Sequence, residues 1–173
     1  MPFGAIAENL VNTLDESIAS PEHLTTPADV DKFLAVHEID WPRRATAADL
    51  DALRDVRARV RGLFVAATQA EAQRRLNELL REARVNLRVA RERGAARIEW
   101  MADDSIDLAE AVRSACAVSA AHIARDMGFE RLRVCGADPC ADVFLDISKR
   151  GEQRFCGPRC ATRVRVAAHR ARQ

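Results

Sequence analysis

A mainly α fold with one small β-hairpin, divided into a helical N-terminal domain and a short C-terminal module, follows from three features of this 173-residue sequence. Apolar residues recur at helical spacing over most of residues 1–128. One run around Gly94 alternates apolar and polar side chains instead. Four of the five cysteines crowd into residues 129–173. A hydrophobic content of 48% at this length is enough for a buried core and excludes a disordered chain.

The helices can be placed in order. Ile6, Leu10, Val11 and Leu14 fit one face of a helix over residues 5–14. Ser20-Pro21 interrupts it, and Thr26 before Pro27 reads as an N-cap with proline at the first helical position, opening a helix to about His37. Trp41-Pro42 stops that helix. Thr46 then opens a long amphipathic one with Leu50, Leu53, Val56, Val60, Leu63 and Phe64 on its apolar face. A short helix carries Leu76, Leu79 and Leu80, and VNLRVARERGAARIEW reads as a hairpin turning at Arg93-Gly94. From Asp104 to Met127 the stripe Leu108, Val112, Cys116, Ile123, Met127 returns to the helical period, and Gly128 ends it. Cys116 on that stripe is a core thiol.

No segment reaches the roughly 20 apolar residues of a membrane span; the best, Ala115 to Ile123, is broken by Ser119 and His122. The N-terminus carries Glu8, Asp15 and Glu16 in place of a basic, then apolar, export signal, so the expected location is the cytoplasm. The net charge of +1 conceals a dipolar chain. Residues 1–130 hold 17 basic against 22 acidic side chains, whereas residues 131–173 hold 10 against 4. A basic tail on an acidic body points to a polyanion without saying which one.

Cys135, Cys140, Cys156 and Cys160 form C-x4-C-x15-C-x3-C. In a reducing compartment this spacing favours a metal over disulfides. Two short thiolate pairs held apart by a loop suit tetrahedral zinc, and four cysteines close the shell, which makes the site structural rather than hydrolytic. Gly136 and Pro139 allow the first pair to converge. ADVFLDISKRGEQRF reads as strand, turn and strand, with Val143 to Leu145 leading in, Ser148 to Gly151 turning and Phe155 leading back. A helix starting near Pro158 then places Cys160 in its first turn. This is the layout of a treble-clef or ribbon-like zinc finger. A module of this size has few large apolar side chains and needs the metal to fold.

At 100° per residue, Arg159, Arg163 and Arg170 share one row of the last helix. Arg165, His169 and Arg172 share another, with Ala161, Val164, Ala167 and Ala168 between them. Arginine forks suit phosphate oxygens and the guanine edge, and Lys149 and Arg150 at the turn add phosphate contacts. After four thiolates and one divalent ion are counted, the segment remains about +4. The same arginines also fit a solvated face or a protein contact. No aromatic residue follows Phe155, so a stacking platform for single strands is missing and double-stranded DNA is the favoured polyanion.

The run CGADPCADVFLDISKRGEQRFCGPRCATRVRVAAHRAR resembles the CGNR zinc finger family. The resemblance rests on the first cysteine pair, Phe144-x-Asp146-x-Ser148, the basic turn, the aromatic before Cys156 and the closing His169-Arg170-Ala171-Arg172. Glu8-Asn9-Leu10-Val11-Asn12-Thr13 is similar to the opening of the ABATE-type helical domain that accompanies this finger, so the resemblance spans nearly the whole chain. It implies a stress-induced transcription regulator that binds DNA through the finger. The naming tetrapeptide stands here as Cys160-Ala161-Thr162-Arg163, and the second pair is spaced by three residues where the family commonly has four.

Asn12 and Thr13 are the candidates for a polar spot in an effector pocket. Their alternative is a side-chain to backbone bond that fixes the first helix. His23, His37 and His122 are scattered, and no phosphate loop, nucleophile elbow or HExxH motif is present, so no enzyme is expected. The expected protein is a DNA-binding regulator whose helical domain senses a small-molecule effector or forms a homodimer. The competing classes are a zinc-stabilised protein-interaction module and a small-molecule binding protein.

Overall fold

The computed structural model describes residues 5–15, 17, 21–39, 41–92, 94–102 and 106–172. Ser20, Arg93 and Asp104, which mark three of the expected boundaries, lie outside them. The described elements are α1 (Ala5–Val11), α2 (Pro27–Val36), α3 (Ala47–Phe64), α4 (Gln69–Glu82), β1 (Val85–Glu92), β2 (Ala95–Ala102), α5 (Leu108–Met127), a 3-10 turn (Phe129–Arg131), β3 (Leu132–Val134), β4 (Val143–Leu145) and α6 (Pro158–Arg170). The protein is thus mainly helical with a two-stranded antiparallel hairpin, as its periodicity implies. No described helix is long and apolar enough to cross a membrane.

Helix α5 is the axis of the helical domain. Asp107 caps it by accepting the Glu110 N–H, and most residues from Leu108 to Ile123 are buried, with the helix packed against α1, α3 and α4. Cys116 is fully enclosed there, and burial pushes its thiol up to about 12, which makes it inert. Thr46 caps α3 through the Asp49 N–H, and Leu53, Val60 and Leu63 enter the core. Thr68 caps α4, which runs a full 14 residues.

Helix α1 is shorter than its apolar pattern suggests. Beyond Val11 the chain turns, Leu14 pairs with Glu22 in an isolated bridge, and the His23 N–H donates to the Thr13 carbonyl. Arg57 of α3, itself buried, locks this loop. Its two terminal nitrogens each reach a Glu22 carboxylate oxygen at 2.6 Å, and one also donates to Thr13 Oγ1 at 3.0 Å.

The C-terminal of α2 builds a further feature. Glu38 takes φ +57°, the Glu38 N–H donates to the Ala35 carbonyl and the Ile39 N–H to the Leu34 carbonyl. This is a Schellman closure, with Ile39 returned beside Leu34. It leads the chain directly into Trp41-Pro42.

Strands β3 and β4 do not form a separate small core. Leu132 and Val143 belong to the same buried cluster as Leu10, Leu53 and Val112. The module therefore does not depend on the metal alone for burial, and its base packs on helical-domain side chains. The expected hairpin inside the module is also corrected. Strand β4 pairs antiparallel with β3, upstream of the first cysteine, in the register Leu132↔Leu145 and Val134↔Val143. The segment before Cys156 is no strand, because the Gln153 N–H is taken by the buried Asp146 carboxylate at 2.9 Å instead of by a ladder partner.

Two predictions follow from these contacts. The Arg57 hydrogen bonds hold the Glu22 carboxyl below its ordinary value of 4.5. A depressed carboxyl contributes stability that is complete above that value and is lost as pH falls through the folded-state value. Glu22→Gln is therefore expected to lower stability by about 2 kcal/mol at pH 7, less than for a fully buried pair because Glu22 is partly exposed. Urea titrations of both proteins should show the gap closing below pH 4.5. Glu38→Gly removes a left-handed non-glycine and should raise stability by about 1 kcal/mol in the same assay.

Candidate metal centre and its basic helix

Each cysteine is delivered by a different local device. Cys135 follows β3, and its N–H extends the ladder to the Asp142 carbonyl at 2.8 Å. Gly136 then passes so close to Arg154 that an added Cβ would lie 3.2 Å from the Arg154 carbonyl oxygen, to which the Gly136 N–H already donates at 2.8 Å. A turn closed by the Cys140 N–H on the Ala137 carbonyl brings the second thiol back. Cys156 lies just ahead of α6 and donates its N–H to Cys135 Sγ at 3.3 Å. Gly157 caps α6, Pro158 occupies its first turn, and Cys160 follows.

The four Sγ atoms lie within 4.8 Å of one another. Cys140 to Cys156 is 3.8 Å and Cys156 to Cys160 is 3.6 Å. A tetrahedron with metal–sulfur bonds of about 2.3 Å has edges of about 3.8 Å, so these thiols are spaced for one ion. They are much too far apart for sulfur–sulfur bonds of about 2.05 Å, and all are free cysteines. Burial and the neighbouring sulfurs push Cys140 up to about 12 and Cys156 higher still. Crowded thiols resist ionising together, and a divalent cation at their centre reverses that preference while releasing protons.

Arg163, one turn after Cys160, has a role that its place in the arginine row does not reveal. Its Nη2 donates to the Ala137 carbonyl at 2.8 Å and lies 3.8 Å from Cys160 Sγ. It ties the knuckle between Cys135 and Cys140 to the helix that bears Cys160, and sets a positive charge beside the sulfur cluster. Pair spacing alone gives no sign of this; the signal is the arginine three residues after the last cysteine.

The turn bearing Lys149 and Arg150 is built on Asp146. Burial would raise the Asp146 pKa, but hydrogen bonds from Ser148 and Gln153 together with the Arg133 charge hold it below the usual carboxylate range. Asp146 accepts the Ser148 N–H at 3.0 Å and its hydroxyl at 2.5 Å. Arg133 Nε sits 3.3 Å from the carboxylate, at ion-pair range but misaligned for a hydrogen bond, while its Nη2 donates to the Gly151 carbonyl at 2.6 Å. Arg131 donates to the carbonyls of Asp146 and Ser148. Lys149 and Arg150 are exposed on the outside of this frame.

Arg159, Arg163, Arg165, His169 and Arg170 lie on α6 and Arg172 just beyond it, all exposed, and no residue of the helix is buried. Arg165 Nε donates back to the Ala161 carbonyl at 3.3 Å.

Asn12 and Thr13 are placed elsewhere. Asn12 Nδ2 donates to the Val143 carbonyl and Asn12 Oδ1 accepts the Val143 N–H, both at 2.8 Å. One turn earlier, Glu8 Oε2 accepts the Leu145 N–H at 3.1 Å. The side chains of Glu8 in α1 and of Asn12 just past its end thus complete the outer edge of β4. Thr13 Oγ1 donates to the Leu10 carbonyl and accepts from Arg57. These contacts occupy the polar groups that an effector pocket at Asn12-Thr13 requires.

If Arg163 braces the sulfur cluster, Arg163→Ala should weaken Co²⁺ binding, followed by its thiolate charge-transfer absorbance, by about tenfold. Arg163→Lys should recover only part of the loss, because one ammonium cannot match the guanidinium fork.

Two family models match the chain. Residues 131–173 match the CGNR zinc finger, and residues 4–127 match ABATE, described as "Putative stress-induced transcription regulator". The first range holds the four thiols and the basic helix, and the second holds Glu8 and Asn12, which meet β4. No curated protein matches the chain. With the second model covering well over half of its residues, the chain belongs to the ABATE family and carries a CGNR zinc finger at its C-terminal end.

Proposed function

We propose that this protein is a cytoplasmic DNA-binding transcription regulator in which a structural zinc ion, held by Cys135, Cys140, Cys156 and Cys160, presents α6 to duplex DNA. The observation that carries the reading is the exposure of α6: a helix with arginines around it and no buried residue is held to the protein in its first two turns. Zinc is the ion best suited to an all-sulfur tetrahedral shell with no redox role. With four protein ligands it has no open position for substrate or water, so its work is to fold the knuckle. The role is that of a binding protein rather than an enzyme.

Affinity on this reading comes mainly from phosphate neutralisation by Lys149, Arg150, Arg159, Arg165, Arg170 and Arg172, with His169 at the same surface. Arg163 contributes indirectly, by fixing the angle at which α6 leaves the knuckle. A duplex approached by α6 meets the Lys149-Arg150 turn as a second point of contact.

The test is a selection from random duplexes with the zinc-loaded full chain, with and without chelator. An enriched site that disappears with the metal supports the reading. No enrichment, together with retention of an acidic protein partner, favours the interaction module. About five phosphate contacts should give a slope of log K against log salt near −4 to −5. Arg170→Ala should reduce that slope by about 1 while leaving the zinc content at one ion per chain. A slope near zero contradicts the mechanism.

A further inference from the structure

The four sulfurs are not equally supported by their surroundings. Cys135 accepts the Cys156 N–H at 3.3 Å and faces that of Ala137. Cys140 faces the Asp142 N–H, and Cys160 has the Arg163 guanidinium 3.8 Å away. Each of these sulfurs has a donor that remains favourable once the sulfur is a negatively charged metal ligand. Cys156 differs. Among the described residues its Sγ meets the sulfurs of Cys140 and Cys160 and, at 3.5 Å, the Asp142 Oδ2 oxygen. A thiol can donate to that oxygen. A thiolate cannot, and two anions are then left face to face.

Asp142 is held in this position. Its carbonyl accepts the Cys135 N–H at 2.8 Å, which fixes the main chain between Cys140 and β4, and the residue is half-buried. Glu8 of α1 is near enough to feel the Asp142 charge, so the carboxylate gains nothing by turning that way. Arg61 Nη2 donates to the neighbouring Ala141 carbonyl at 3.1 Å rather than to the carboxylate. Among the described residues no cation forms an ion pair with Asp142. Metal loading replaces four neutral thiols by a cluster of net charge about −2, and an unpaired carboxylate opposes that charge. The opposition falls hardest on the sulfur it faces.

We propose that Asp142 makes Cys156 the detachable ligand, so that metal exchange with an external chelator or thiol begins at that sulfur. The proposal rests on the reading of the four cysteines as a metal site. In the exchange the incoming donor takes the position that Cys156 leaves, and the freed sulfur takes up a proton and returns to its hydrogen bond with Asp142. Cys156 stands directly ahead of the α6 cap at Gly157, so the bond that opens first is the one that ties the chain entering that helix.

The test uses the full chain loaded with Co²⁺ and an excess of EDTA, with release followed by the loss of thiolate charge-transfer absorbance. Asp142→Asn and Asp142→Ala both keep the main-chain bonds of this residue and remove its charge. Each is expected to slow release by about fivefold or more. Glu152→Gln, which removes one charge from an exposed position of the same module, is expected to leave the rate within about twofold. In the zinc-loaded chain, neutral iodoacetamide followed by peptide mass spectrometry should find Cys156 alkylated ahead of Cys140 and Cys160, and Asp142→Asn should abolish that lead. Release slowed by less than fivefold in both Asp142 variants, equal slowing in Glu152→Gln, or another cysteine reacting first overturns the proposal while leaving the metal site standing. A chain that takes up no cobalt overturns both.

Discussion

Four sulfur atoms that must share one centre are the constraint on which the C-terminal third depends. Cys135 and Cys140 sit on a knuckle, and Cys156 and Cys160 flank the start of α6; the Gly136–Arg154, Cys156–Cys135 and Arg163–Ala137 contacts bring the second pair to the first, and a shared ion would lock the four sulfurs together. Thiols at this separation repel one another's ionised forms, so the arrangement is stable in one protonation state without metal and in another with it. Arg163 and the helix N-terminus both favour the ionised sulfurs of the second state. A metal bound there would thus also specify the direction of a helix.

The knuckle is in turn seated on the helical domain by main-chain pairing that ends in side chains. Strand β4 has β3 on one edge and, among the described residues, no third strand on the other. A three-residue strand with an open edge is a weak element in water. Glu8 and Asn12, separated by one helical turn, match the alternation of Val143 and Leu145 along that edge and satisfy two N–H groups and one carbonyl. Val143 meanwhile is buried in the common core. The regions matched by two family models are therefore one packed body at this junction, and any shift of α1 along its axis must strain β4.

Much of this was legible in the sequence because periodicity and caps are local. Thr46 before Leu50 and Leu53, Asp107 before Leu108 and Val112, and the cysteine spacing each report geometry within a few residues. What could not be read depends on partners distant in the chain. Phe155 has the look of a returning strand, but the Asp146 carboxylate takes the Gln153 N–H that a ladder needs. Asn12 reads as a pocket residue or a local cap, and its partner, Val143, is 131 residues away. Arg163 sits in a row of arginines, and only the folded knuckle brings the Ala137 carbonyl within its reach. Glu38 carries no signal of its left-handed backbone, because the sequence lacks the glycine that usually marks such a closure.

The exposure of α6 has an energetic meaning. A 13-residue helix without a packed face is marginal in water, because its first turn fixes several residues for one hydrogen bond. Here the first two turns are fixed by other means: Pro158 presets one φ, Cys160 is placed by the sulfur cluster, and Arg163 is tied to Ala137. Once nucleated, Ala161, Ala167 and Ala168 propagate well, and the arginines among them cost little. Mutual repulsion among the arginines of the helix opposes this. A line of phosphates removes that repulsion. On the proposed reading, the same residues that make the free helix marginal make its far end the part that would gain most order from a polyanion, while the near end is set by the knuckle.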